Sequence, residues 1–79
     1  MTTLAEGERE VPVILDSGEY RIVVRGNGRA RRIERVGKGG RRLLVWQERQ
    51  WAEGRAWVVL EAAGFGRKGW VPRPADETA

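Results

Sequence analysis

Apolar residues in this chain fall into short runs separated by glycine, proline and charge, a spacing that predicts strands rather than long helices. Val11 to Leu15 is apolar but contains Pro12. Proline cannot donate to a sheet ladder, so this run predicts an edge strand or a strand start. Asp16-Ser17-Gly18 is a turn signal. Tyr20 to Arg25 is the clearest strand: Tyr20, Ile22 and Val24 alternate with Glu19, Arg21 and Arg25, and Val23 is the exception. Gly26-Asn27-Gly28 predicts a tight hairpin, because Asn-Gly favours positive φ. Arg29 to Val36 alternates less cleanly, with Ile33 inward and arginines projecting from both faces. Gly37-Lys38-Gly39-Gly40 predicts a further hairpin loop. It is not a phosphate loop of the Walker type, since that spacing and a Ser or Thr after the lysine are absent.

The stretch from Leu43 to Val71 holds all four tryptophans and organises the rest. Arg41 to Glu48 carries apolar groups on both parities, Leu43 and Val45 on one, Leu44 and Trp46 on the other, which predicts a central strand or one at a barrel corner. Arg49 to Gly54 reads as a wide polar loop that contains Trp51. Ala56 to Ala62 is β-rich and predicts a strand. Gly64, Gly66 and Gly69 around Phe65 predict a turn, and Trp70-Val71 a last short strand ended by Pro72 and Pro74. A helical alternative covers the same region. Gln47 to Glu53 are good helix formers, and Ala56 to Ala63 before Gly64 resembles a helix with a glycine C-cap, as in a winged-helix recognition helix. Against it stand the bulky and β-branched Trp57, Val58 and Val59, and the shortness of two helices flanking Gly54. Strands are favoured, and the expected fold class is all-β, with five or six short antiparallel strands.

Seventy-nine residues accommodate one domain. The expected organisation is a flexible N-terminus over 1–9, a single domain over 10–72 and a flexible tail over 73–79. Cysteine and histidine are both absent, which excludes disulfides, thiolate chemistry and an imidazole base, and removes the usual zinc ligands. No cofactor or metal is expected. No apolar run is long enough to span a bilayer and the acidic N-terminus does not resemble a secretion signal, so the chain reads as cytoplasmic.

Charge sharpens the picture. The formal net charge is +4, yet it is distributed in blocks. Residues 1–20 hold Arg9 against Glu6, Glu8, Glu10, Asp16 and Glu19. Residues 21–42 hold Arg21, Arg25, Arg29, Arg31, Arg32, Arg35, Lys38, Arg41 and Arg42 against Glu34 alone. The remainder is balanced. Such a central block attracts phosphates, pairs with the acidic N-terminal segment, or docks an acidic protein.

The order of signals from Tyr20 to Pro72 resembles a bacterial SH3 domain. The matching features are Val24-Arg25-Gly26, the Lys38-Gly39 turn leading into Leu43 and Val45, the Trp57-Val58-Val59-Leu60 run, and Gly69-Trp70-Val71 after a glycine-rich turn. The resemblance implies a small SH3-like β-barrel whose usual role is to bind cell-wall or other peptides. It also implies that Trp70 lines the ligand groove.

These observations point to a non-enzymatic basic binding module. No two carboxylates are spaced as a catalytic pair, and Ser17 and the threonines lack a histidine to activate them. The favoured ligand is nucleic acid, DNA or RNA, contacted by Arg25, Arg29, Arg31, Arg32, Arg35, Lys38, Arg41 and Arg42, with Trp46, Trp51 and Trp70 as candidates for stacking or groove contacts. Trp51 stands out because it lies in a polar loop. The alternative is a protein-interaction module or small inhibitor that binds an acidic protein surface, or a homodimer pairing the Val11–Leu15 strands.

Overall fold

The computed structural model describes Leu4 and residues 6–65. Four strands, β1 (Arg9–Leu15), β2 (Gly18–Val24), β3 (Ala30–Val36) and β4 (Arg42–Gln47), are followed by one helix, α1 (Arg55–Ala62). They form an antiparallel meander in the order β1-β2-β3-β4. The expected Trp70-Val71 strand, the turn glycines Gly66 and Gly69, and the tail 73–79 lie outside the described residues, as does most of the stretch 1–5.

Three hairpins fall where the turn residues predict them. Asp16-Ser17 joins β1 to β2, with Leu15 opposite Gly18. In the second hairpin, Gly28 N–H donates to Arg25 O at 2.9 Å and Arg25 N–H to Arg29 O at 2.8 Å. The loop is therefore three residues long. Gly28 alone takes a positive φ of 90°, and Asn27 instead accepts from Arg29 N–H through Oδ1 at 3.0 Å. Gly37–Gly40 forms the third, with Gly39 and Gly40 at φ 71° and 81°. Pro12 sits on an edge strand, as expected.

The sheet has one apolar face. Tyr20, Ile22 and Val24 alternate inward on β2, Ala30 and Ile33 on β3, Val13 on β1 and Trp46 on β4, all buried in one cluster. The Tyr20 hydroxyl is satisfied by Ser17 Oγ at 3.0 Å. Val23 breaks the alternation because it is buried on the opposite face, between cross-strand neighbours Glu10 and Arg32. Two bulges interrupt the register. Arg31 is the extra residue between the Val23–Arg32 and Val24–Ala30 pairs, and Val45 is extra between Ile33–Trp46 and Glu34–Leu44. Bulges bend strands and increase twist.

The structure corrects the all-β expectation and, with it, the SH3-like barrel. The sheet is open: β4 and β1 are its two edges and do not pair. Arg41 to Glu48 thus supplies an edge strand, not a central or corner one, and its Leu43 and Leu44 are more than half exposed. Ala56 to Ala62, expected as a strand, is helical. The result is a mixed α and β fold. The physical reason lies in the uncovered face of the meander. Ala56, Val59 and Leu60 recur at helical spacing and bury against that face, while Val58 points away. Tertiary burial outweighs the modest propensity cost of Trp57, Val58 and Val59. Helix α1 ends in a Schellman motif: Gly64 N–H donates to Glu61 O at 2.9 Å and Phe65 N–H to Leu60 O at 2.8 Å, with Gly64 at φ 89°. Phe65 and Leu60 both join the core. Among the described residues no helix is long and apolar enough to cross a membrane.

Two substitutions separate helix from strand in this segment. Val58→Ala removes a β-branched residue from an exposed helical position and is expected to raise stability by about 0.5 kcal/mol, where a strand would lose stability. Leu60→Ala opens a cavity beneath the helix and is expected to cost about 2–5 kcal/mol. Urea unfolding midpoints of the two variants check both.

Candidate basic cleft at the hairpin end

The meander brings three segments to one end of the sheet. These are the 25–29 loop between β2 and β3, the N-terminal approach to β1 that carries Glu8, and the loop that leaves β4 at Glu48. Gly7 lies against Gly26 there, so that a Cβ on Gly26 would meet Gly7 O at 3.4 Å. Glu48 N–H donates to Arg31 O at 2.8 Å, which extends the β3–β4 ladder by one bond and fixes where the loop begins. The chain then turns sharply. Gln50 N–H donates to Gln47 O at 3.2 Å, and Arg49 takes φ 82°, the one non-glycine positive φ among the described residues. Such a conformation disfavours residues with a Cβ. Gln50 supports it through its side chain, which accepts from Gln47 N–H at 3.0 Å, and through its carbonyl, which accepts from Trp46 Nε1–H at 3.0 Å.

Two adjoining clefts result. One of about 420 Å³ is lined by Arg25, Asn27, Arg29, Glu48 and Arg49. The other, about 330 Å³, is lined by Arg31, Arg32, Gln47, Glu48 and Arg49. Glu48 and Arg49 form their common wall. Among the described residues, five arginines and the one carboxylate Glu48 thus line the two clefts, with Arg31 and Arg32 also paired to Glu8 and Glu34. Arg25 grips Glu48 with both arms of its fork, Nε donating to Oε2 at 3.3 Å and Nη2 to Oε1. The Arg25 hydrogen bond, with the positive charges of Arg25, Arg29 and Arg31, holds the Glu48 carboxyl below its ordinary value, against a smaller opposing effect of burial. The same hydrogen bond raises the Arg25 guanidinium. Arg31 donates through Nη1 to Glu8 Oε2 at 2.7 Å, and the Glu8 side chain is only 3% exposed.

The structure sorts the basic block expected from the sequence. Arg25, Arg29, Arg31 and Arg32 meet at the cleft end. Arg35, Lys38 and Arg41 lie at the other end of the sheet, near the 16–17 and 37–41 turns, where Arg35 donates to Ser17 O at 3.2 Å. Arg42 is taken up on the outer face. Its Nη1 reaches Glu10 Oε2 at 2.7 Å and Glu34 Oε1 at 3.3 Å, and Arg32 Nε donates to Glu34 Oε2 at 3.2 Å. The expected neutralisation of the basic strands by the acidic N-terminal segment is therefore partly realised, by Glu8 and Glu10.

The tryptophans divide likewise. Trp46 faces Ile33 on the inner side and is buried, so it is a core residue rather than a stacking platform. Trp51 is 60% exposed, in the loop that follows Arg49. Trp57 packs half-buried against the core. Trp70 lies outside the described residues. Arg49 was not among the candidates expected from the sequence. Nothing in the local pattern distinguishes it, because its place beside Arg29 and Arg31 depends on the β3–β4 register. Among the described residues no cluster of three or more acidic groups could hold a metal ion. What this arrangement amounts to is a small domain with surface arginines, interleaved glutamates and, among the described residues, one prominent exposed tryptophan. Comparison with known protein families, curated proteins and solved structures gives no match.

The depressed Glu48 carboxyl has a consequence for pH. Its contribution to stability is fully present above the ordinary value of 4.5 and is lost as pH falls through its lower folded-state value. Glu48→Gln should therefore lower the urea midpoint at pH 7, and the gap to the unmodified protein should narrow toward pH 3.

Proposed function

We propose that this domain is a non-catalytic binding module that engages nucleic acid through its phosphate backbone at the arginine cleft. One observation carries the reading: Arg25, Arg29, Arg31, Arg32 and Arg49 converge on two adjoining clefts that contain one carboxylate. Guanidinium forks match phosphate oxygens geometrically and remain charged at all relevant pH values. Concave placement concentrates their field. Trp51, exposed in the adjoining loop, offers a face on which a base stacks. A curved basic end with one aromatic suits a flexible single strand better than a rigid groove reader, because no helix presents the basic residues.

A second reading is favoured by a different surface. β4, the outermost of the described strands on its side, exposes Leu43 and Leu44 beside Arg41, a combination suited to an acidic protein partner that adds a strand. The two readings differ in their response to salt.

Tryptophan fluorescence titrated with short single- and double-stranded DNA and RNA distinguishes them. If three or four phosphates are engaged, single-strand affinity is expected to fall about 20- to 50-fold between 50 and 200 mM salt. Arg49→Ala should weaken binding to every sequence and flatten the salt slope by about 1. Substituting Trp51 should remove part of the signal while the unfolding midpoint is retained. No response to any of the four polymers at low salt would overturn the nucleic-acid reading and leave the protein partner.

A further inference from the structure

One of the two residues shared by the clefts is an acid, and its placement is specific. Glu48 is fixed at the backbone by its bond to Arg31 O at 2.8 Å and is followed by the left-handed Arg49, so its Cα position is determined by the ladder and the turn. Its carboxylate fills the fork of Arg25 in a two-pronged contact. A carboxylate and a phosphodiester present the same recognition unit to guanidinium: one negative charge shared by two oxygens. The side chain is only partly covered, at 29% exposure, so it can leave Arg25 without disturbing the core.

We propose that Glu48 is an internal stand-in for a ligand phosphate, occupying Arg25 in the free protein and displaced from it when a polynucleotide binds. The inference rests on the nucleic-acid reading above and adds a mechanism of selection to it. A first phosphate enters the cleft at Arg29 and Arg49. The next phosphate along the chain then competes with Glu48 for Arg25. An isolated phosphate cannot do both, since whatever it gains at Arg25 must offset the loss of an existing two-pronged pair. The site therefore discriminates for consecutive phosphates held by one backbone, and against inorganic phosphate. The Arg25 hydrogen bond, with smaller contributions from the charges of Arg29 and Arg31, stabilises the ionised form of Glu48, and a ligand phosphate would meet the same field.

The test uses the full chain, a twelve-residue oligothymidylate and inorganic phosphate, at 50 mM salt. Glu48→Gln removes the competing charge, and a gain of at least about fivefold in oligothymidylate affinity is expected, the lower bound for one unit charge at about 4 Å screened as in bulk water. Inorganic phosphate should bind the unmodified protein weakly and the variant measurably. Glu53→Gln changes net charge equally but lies outside both clefts, so it should leave affinity within about twofold. The gain should also vanish in an Arg25→Gln background, which reports on the pair even if one single variant is less stable. Equal gains from Glu48→Gln and Glu53→Gln, or weaker binding by Glu48→Gln, would overturn the displacement mechanism while the nucleic-acid reading stood. Binding by Glu48→Gln alone would overturn displacement together with the nucleic-acid reading of the unmodified chain, since no ligand phosphate would then replace Glu48. Failure of both proteins to bind would overturn both readings.

Discussion

Everything in this domain depends on covering one apolar sheet face. A four-stranded meander with Val13, Tyr20, Ile22, Val24, Ile33 and Trp46 on one side would expose that apolar face to water if it were bare, and covering it is favourable. A closed barrel would solve the problem by folding the sheet onto itself. Here α1 solves it with a narrow stripe of Ala56, Val59 and Leu60, and Phe65 seals the exit through the Schellman turn. Once the helix occupies that face, the segment that would supply a closing strand has been used, and among the described strands β1 and β4 are left as the two edges.

The opposite face meets a different constraint. Val23 is fully buried there, yet its neighbours are charged. Charged stems cover it while their heads pair, Arg32 with Glu34 and Arg42 with both Glu34 and Glu10. The contact between Arg42 and Glu10 joins the two edge strands across the sheet, which requires strong curvature; the bulges at Arg31 and Val45 supply local bending. This ion network also consumes part of the basic block. Arginines paired with glutamates over the outer face are less available to a ligand than those at the hairpin end, where Arg25, Arg29 and Arg49 line a cleft with Glu48. The single charge excess of the chain thus becomes two unequal surfaces.

Legibility followed the range of the forces involved. Hairpin positions were readable because Asn27-Gly28, Asp16-Ser17 and the Gly37–Gly40 run act within a few residues. The edge position of β1 was readable from Pro12, whose missing N–H is a property of one residue. Helix α1 was legible only as the less favoured alternative, on the strength of Gly64 as a C-cap. Its interior argues for a strand when judged by propensity, and the deciding quantity was the apolar face it covers, contributed by residues up to 47 positions earlier. A match in the order of motifs to SH3-like barrels suffered the same weakness, since glycine turns and tryptophans fix local punctuation but not closure.

Alternation, turn chemistry and charge blocks are written into consecutive residues, and they sufficed for a basic meander of antiparallel strands with an exposed tryptophan in a polar loop. Which arginines meet is another matter. Arg25, Arg29, Arg31 and Arg49 are separated by as many as 24 positions, and a one-residue change of register would send their side chains to different faces. Two bulges and the pairing of β3 with β4 settled that arrangement, as burial of the sheet settled the helix. Both are long-range contacts, for which no local pattern carries a signal.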